Sequence, residues 1–252
     1  MTQIRGMEMP AIFAPSFTLF YDECQRWIKD VDENPESLEE MRLFEESSYF
    51  VNMTEDISLR LGLSNITRED LEIMYESCRF EVALQLPNAP WCAAFSPEDF
   101  FILEYWQDLK YYWQDGYGYS VNYEQACPLL QDLVMHIRAA EKGAEKRKLG
   151  AFYFAHSGTL GKMLARLGLF RSPETNMTAE DFELNHDREW QTTEILPFAS
   201  NLIVALYHTP EGPQVMTFVN ERLVGLQMVD SFLEEFGPIA DNCSFKEICK
   251  LR

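Results

Sequence analysis

The chain has 252 residues, of which 46% are hydrophobic and 25% are charged. This apolar content is enough to build a core, which excludes a disordered chain, and no uncharged apolar run is long enough to cross a membrane. The formal net charge of -20 disfavours nucleic acid and anionic lipid as partners, because a strongly acidic surface repels both.

The acidic charge is concentrated in the first half of the chain. Residues 1–126 carry 8 Lys and Arg against 24 Asp and Glu, whereas residues 127–252 carry 13 against 17. The resulting net charges of -16 and -4 indicate that the two halves differ in construction.

The N-terminal residues 1–10 do not form a signal peptide. They have a weakly positive start, but neither the apolar stretch nor the small-residue cleavage site that such a leader needs. Either the protein stays in the cytosol, or this chain lacks its own beginning.

Residues 17–115 have a helical pattern. We predict a capping box at 37–40 and a similar pattern at 67–70. At 96–99 we predict a capping hydroxyl followed by Pro97 and two acids in the first helical turn. An aromatic helix over 100–113 should end at Gly116. Its aromatic residues fit core packing better than a ligand platform, since such side chains dominate buried area.

The second half changes its period and alternates helices with strands. We predict a helix over 128–148, a buried strand over 149–155 and an amphipathic helix over 159–170. A β-rich stretch over 195–207, with residues 202–206 as its buried core, and a strand over 214–220 follow around a proline-glycine turn. This order implies an α/β layer.

The six cysteines fit disulfides or buried free thiols, and composition alone does not separate the two. Cys243 and Cys249 could close a small loop near the C-terminus. Four glycosylation sequons, which begin at Asn52, Asn65, Asn176 and Asn242, favour disulfides and a secretory-pathway protein. No Cys or His spacing suits a zinc site.

The candidate site is His156, which directly follows the predicted strand and precedes a small-residue turn and a helix. Ligands of open α/β sheets bind beyond the carboxyl ends of strands, and free N–H groups at a helix start attract phosphate. His156 is therefore placed to donate a hydrogen bond to an anionic oxygen. A structural histidine is the alternative that this pattern leaves open.

Several segments together resemble the histidine acid phosphatases, and within them the multiple inositol polyphosphate phosphatases. The strongest is 152–160, Phe-Tyr-Phe-Ala-His-Ser-Gly-Thr-Leu. The other segments lie at 20–24, 90–92, 103–109, 112–119, 164–170 and 197–203. They follow the family's order and spacing from about residue 17 to residue 250.

The resemblance implies an α/β phosphatase core with an inserted helical domain. We expect a divergent or unstructured N-terminus over 1–16 and a mainly helical domain over 17–126. Residues 127–235 would be the C-terminal part of the core, and 236–252 a tail that holds Cys243 and Cys249. The family location is secreted, lumenal in the endoplasmic reticulum or membrane-associated, which the N-terminal residues do not support.

The resemblance also implies hydrolysis of phosphate monoesters through a phosphohistidine. The family's nucleophile lies in an Arg-His-Gly-x-Arg-x-Pro motif, and a second histidine, in a His-Ala-Glu segment, contacts the phosphate beside an acid that protonates the leaving group. Substrates of such enzymes include phytate, lower inositol phosphates and 2,3-bisphosphoglycerate. No metal and no cofactor is implied.

Two departures from the family pattern affect catalysis. His156 matches the phosphate-binding histidine, but Gly158 stands where the acid should be, and no nucleophile motif occurs in the sequence. We therefore expect a phosphatase-type chain, with inositol phosphates or other small phosphomonoesters as ligands, that is inactive by itself. The alternatives are a non-catalytic truncated paralogue or isoform that acts as a binding protein and, more distantly, a helical interaction module over 17–126.

Overall fold

The computed structural model describes residues 19–142, 150–172 and 176–251. Expectations for 1–16 and for the end of the predicted helix 128–148 lie outside these residues. Within them, no helix is long and apolar enough to cross a membrane.

The described part of the chain is mostly helical. Its α-helices, in chain order, are α1 (Gln25–Trp27), α2 (Glu39–Glu45), α3 (Ser48–Leu61), α4 (Arg68–Ala83), α5 (Pro97–Asp115), α6 (Ser120–Glu124), α7 (Cys127–Glu141), α8 (Ser157–Arg166), α9 (Thr192–Ile195), α10 (Val229–Asp241) and α11 (Phe245–Ile248). Short 3-10 segments lie at Phe20–Glu23, Pro35–Leu38, Cys92–Ala94 and Ala179–Asp181, and a π-helical turn spans Ile28–Asp32.

The helix starts predicted at 67–70 and 96–99 are confirmed, and both are capping boxes. Thr67 caps α4 and Ser96 caps α5, and in each case the acid at the third helical position returns the hydrogen bond. The box at 37–40 is wrong, because the Ser37 hydroxyl is buried and donates to the Val31 carbonyl at 2.6 Å. A tertiary contact there replaces the local cap.

The long helix α5 is the central element of the helical part. Tyr105 and Trp106 are fully buried on it, whereas Phe101 is 55% exposed. The prediction that the aromatic residues of this helix pack in the core is thus confirmed for most of them. The helix ends at Gly116, as predicted.

The sheet is an antiparallel meander of three strands in the order β1-β2-β3. The strands are β1 (Leu202–Thr209), β2 (Gly212–Val219) and β3 (Arg222–Met228). Residues 195–207 do not form one strand, because α9 ends at Ile195. Residues 202–206 are partly or largely exposed rather than a buried core, since β1 is an edge strand. The sequence analysis did not predict β3 or helix α10.

The predicted strand at 149–155 is wrong for the residues described. Residues 150–155 carry no strand assignment, and Phe152 and Phe154 are 58% and 73% exposed. An apolar run becomes a strand only where a neighbouring strand takes up its backbone hydrogen bonds. The meander β1–β3 offers this segment no such pairing.

Three disulfides join distant parts of the chain: Cys24–Cys249, Cys78–Cys92 and Cys127–Cys243. The expected loop between Cys243 and Cys249 is therefore wrong. Helix α10 packs on α7 and brings Cys243 to the start of α7, while Cys249 meets Cys24. The segment 236–252 is fixed to the body of the protein at both cysteines.

Residues of both proposed domains share one apolar cluster. It contains Leu103 and Leu109 of α5 together with Leu164 of α8, Trp190 and Val219. A second cluster lies between α7, α8, α10 and the sheet. The division at residues 126 and 127 remains a prediction.

Candidate functional site

His156 occupies the N-terminal cap of helix α8. Its backbone is extended, with φ -83° and ψ 164°, and its carbonyl accepts hydrogen bonds from the N–H groups of Thr159 and Leu160 at 3.1 and 3.3 Å. The residue is exposed, so its ring is not enclosed by aliphatic neighbours. The structure thus places His156 beside the N–H groups of Ser157 and Gly158, which precede the first hydrogen bond of the helix.

Gly158, two residues after His156, faces the carboxylate of Asp115. A methyl group added at Gly158 would lie 3.3 Å from Asp115 Oδ1 and 3.5 Å from Oδ2. Asp115 is the last residue of α5 and is 6% exposed. The chain therefore has a carboxylate beside this position, but it comes from a different helix.

Asp115 is neutralised by Lys162, one turn further along α8. The Lys162 ammonium donates to Asp115 Oδ1, and the two side chains are 1% and 9% exposed. Lys162 Nζ also lies 4.1 Å from the ring centroid of Trp27 and 4.9 Å from that of Tyr21. A buried charge needs such partners, because an unpaired ion in the interior is very costly.

Tyr21 lies beside this ion pair. Burial, together with nearby Asp22 and Asp115, raises the pKa of Tyr21, and its side-chain hydrogen bond with Thr159 acts in the opposite direction. The phenol therefore stays protonated at neutral pH. It links the N-terminal segment to the first turn of α8.

Asn122 holds the turn after α5 against Trp27. Its Oδ1 accepts from Trp27 Nε1 at 3.0 Å, and its Nδ2 donates to the carbonyls of Trp113 and Gly116 at 2.9 and 3.2 Å. Asn122 is fully buried. These hydrogen bonds fix the turn that follows Asp115, the residue that faces Gly158.

The glycines that follow α5 serve packing. A Cβ at Gly116 would lie 2.8 Å from the Trp190 ring, and a Cβ at Gly118 would lie 2.5 Å from the Trp113 ring. Real Cβ atoms do not approach this closely, so both positions require glycine for steric reasons. Packing therefore accounts for the glycines of this loop, and no phosphate site is needed to explain them.

The arrangement has groups that can hold an anion. Exposed imidazole and helix N–H groups suit a phosphate oxygen. The nearby carboxylate of Asp115 is engaged by Lys162, and Gly158 has no side chain.

Among the described residues, no hydrogen bond or ion pair joins the remaining histidines to His156. His136 Nε2 lies 3.3 Å from Asp132 one turn away on α7, and His208 is exposed on β1. His186 lies at the surface beside Asp187. Among residues 19–142, 150–172 and 176–251, no three potential metal ligands come together.

The sequence reading missed Asp115 and Lys162 as members of the site. One signal was available: Asp115 ends a helix, where a negative charge is disfavoured by the helix dipole. Such an acid calls for a cation nearby. The sequence does not reveal which cation, because Lys162 lies 47 positions away.

Comparison with known proteins identifies the family of the chain. Residues 10–221 match the histidine phosphatase superfamily, branch 2. Multiple inositol polyphosphate phosphatase 1 from Homo sapiens is 30% identical over 251 residues, with 92% of this chain and 51% of the human protein covered. The protein of the same name from Drosophila melanogaster is 32% identical, with 88% and 48% covered.

The same comparison extends to a solved structure. The crystal structure of the phytase from D. castellii matches with a TM-score of 0.70 and 16% identity, over 90% of this chain and 49% of that one. This match confirms the histidine-phosphatase-like fold class, and the sequence matches confirm the resemblance to the multiple inositol polyphosphate phosphatases. The chain spans about half the length of these relatives.

Proposed function

The chain belongs to branch 2 of the histidine phosphatase superfamily, and we propose that its 252 residues hold the phosphate-binding histidine of a multiple inositol polyphosphate phosphatase type of hydrolase. Phytate, lower inositol phosphates and 2,3-bisphosphoglycerate are the ligands that the family resemblance implies. In this proposal the 252 residues bind a phosphate ester and do not turn it over.

The exposed position of His156 at the start of α8 is the observation that carries the proposal. The imidazole N–H donates to one phosphate oxygen, and the first backbone N–H groups of the helix donate to another. The positive end of the helix dipole adds to the attraction.

The absence of turnover follows from Gly158. An alkoxide is a poor leaving group, and a positioned acid contributes roughly 10²–10⁴ in rate. Asp115 does not replace it, because Lys162 holds its carboxylate in an ion pair. The sequence also contains no nucleophile motif, and uncatalysed monoester hydrolysis is among the slowest reactions known.

Two measurements on the purified chain test the proposal. Isothermal titration with phytate should show binding that His156→Ala removes and that His186→Ala, at an exposed histidine elsewhere on the surface, leaves intact. Phosphate release from phytate should stay near background. Absence of binding, or equal loss in both variants, would refute the assigned site, and turnover within about tenfold of a full-length relative would refute the missing acid.

The second candidate is a non-catalytic binding or interaction protein. The Asp115–Lys162 pair favours it, because a carboxylate beneath the start of α8 weakens an anion site there. A chain that ignores phytate but copurifies with one protein at fixed stoichiometry would support this candidate over the first.

A further inference from the structure

The structure assigns an N-glycosylation site to Asn65, in the loop between α3 and α4. The first reason concerns the compartment. All six cysteines pair into three disulfides, which form and persist in oxidising compartments. In eukaryotic cells the enzyme that reads Asn-x-Ser/Thr works in such a compartment, so the chain meets it during synthesis.

Two of the four sequon asparagines use their side chains in the folded protein. Asn176 Oδ1 accepts from the Tyr112 hydroxyl at 3.1 Å. Asn242 Nδ2 donates to the Pro238 carbonyl at 2.8 Å, and the next residue, Cys243, is disulfide-bonded to Cys127. A sugar on Asn242 Nδ2 would disturb a contact that this nitrogen already makes, whereas at Asn176 the bonded atom is Oδ1 and the hydrogen bond from Tyr112 fixes the side chain.

Asn52 is exposed but lies inside helix α3. The transferase has to reach the asparagine amide and the hydroxyl two residues later together. On a helix these two side chains are about 200° apart around the axis. The formed helix therefore does not present the two groups of this sequon together.

Asn65 is exposed, lies outside helices and strands, and makes no hydrogen bond within the described residues, a combination that the other three asparagines lack. The hydroxyl of its sequon, on exposed Thr67, caps α4 and donates to Asp70 Oδ2 at 2.7 Å. The loop backbone is fixed on both sides, by Gly62 in the left-handed region with φ 68° and by Ile66, which is 5% exposed. The amide therefore points to solvent from a defined position.

The surface around Asn65 also suits a glycan. Leu61 and Leu63, four and two residues before it, are 41% and 51% exposed. Exposed apolar side chains next to each other favour association between molecules. A hydrophilic oligosaccharide on the adjacent residue would cover them.

The modification is a transfer from a lipid-linked oligosaccharide diphosphate. The Asn65 amide nitrogen attacks the anomeric carbon, so the C1–Nδ2 bond forms and the C1–O bond to the diphosphate breaks. Nδ2 gives one proton to a base of the transferase, and the lipid diphosphate leaves. No electrons are exchanged with an oxidant or reductant.

Peptide mapping of the full chain, secreted by a eukaryotic cell behind a cleavable leader, tests the inference. Trypsin cleavage after Arg60 and Arg68 releases a peptide that contains Asn65 and no other sequon. Treatment with an N-glycan amidase in heavy-oxygen water should convert Asn65 to a labelled aspartate. An unlabelled Asn65 in the secreted, disulfide-bonded protein would overturn the assignment.

Intact mass provides matched variants. Asn65→Gln should lose the mass of one glycan, whereas Thr67→Ser keeps both the sequon and the cap of α4 and should retain it. An Asn65→Gln variant that keeps its full glycan mass would contradict the assignment. If that variant is not secreted, the peptide map of the unmodified sequence still decides.

Discussion

Replacing either member of the buried Asp115–Lys162 ion pair should lower the free energy of unfolding. Replacing Lys162 by methionine keeps a side chain of similar length and packing but removes the ammonium, so Asp115 stays charged in a site where it is 9% exposed. Removal of one member of a buried pair typically costs about 3–5 kcal/mol. We expect Lys162→Met to lower the free energy of unfolding by that amount.

Urea unfolding of the oxidised protein, followed by tryptophan fluorescence, measures the loss. The matched control is Arg222→Met, which breaks the pair with Glu194, whose side chains are 78% and 55% exposed. A surface pair of this kind contributes under about 1 kcal/mol. The two variants delete one cation each and differ chiefly in burial.

The double variant Asp115→Asn with Lys162→Met separates charge from shape. It leaves no unpaired buried ion, so its loss should be smaller than the sum of the two single losses. Additive losses, or a Lys162→Met cost no larger than that of Arg222→Met, would refute the argument that burial makes this pair matter.

Three further outcomes can be measured on the same protein. Burial raises the pKa of Asp108 to about 7, although the nearby guanidinium of Arg188 acts to lower it. Because this pKa exceeds the unfolded value of about 3.9, the stability from Asp108 is fully present below about pH 4 and is lost as the pH rises through about 7. The unfolding free energy of the unmodified protein relative to Asp108→Asn should therefore fall over that range in urea titrations at several pH values, and a flat difference would contradict it. Gly118→Ala should cost about 1–3 kcal/mol, since its Cβ would meet Trp113, whereas Gly225→Ala, with its nearest neighbour 3.4 Å away, should cost less in thermal unfolding. Serine in place of both Cys127 and Cys243, which are 116 residues apart, should cost about 5 kcal/mol in urea unfolding. The same change at Cys78 and Cys92, 14 residues apart, should cost about 3 kcal/mol, and equal losses would argue against loop entropy as the cause.

Local signals in the sequence were sufficient for much of the helical part. The capping boxes at Thr67 and Ser96 use atoms within four residues of each other, so the sequence contains the whole interaction. Ser37 has the same local pattern, but the Val31 carbonyl, six residues back, takes its hydroxyl instead. A propensity is only a weak guide where a tertiary partner competes for the same group.

Strand pairing and disulfide pairing depended on contacts that no local pattern contains. Residues 150–155 have the apolar composition of a strand but lack a neighbouring strand, and Cys243 lies closer in sequence to Cys249 than to its partner Cys127. For the site, the segment around His156 was enough to place the histidine at a helix start. The carboxylate beside it came from α5, which sequence spacing could not indicate.

Asp115 links the stability of the fold to the strength of the anion site. A carboxylate near the positive end of α8 already takes part of the interaction that a phosphate would use, and Gly158 leaves it room to do so. Asp115→Asn should therefore weaken the fold and yet tighten phytate binding at His156. The helix-end charge effect of about 0.5–2 kcal/mol corresponds to about a twofold to thirtyfold lower Kd at low salt. Titration calorimetry at low and high salt, with circular dichroism to verify that the variant is folded, measures this, and unchanged or weaker binding at low salt would show that Asp115 does not act on the anion site.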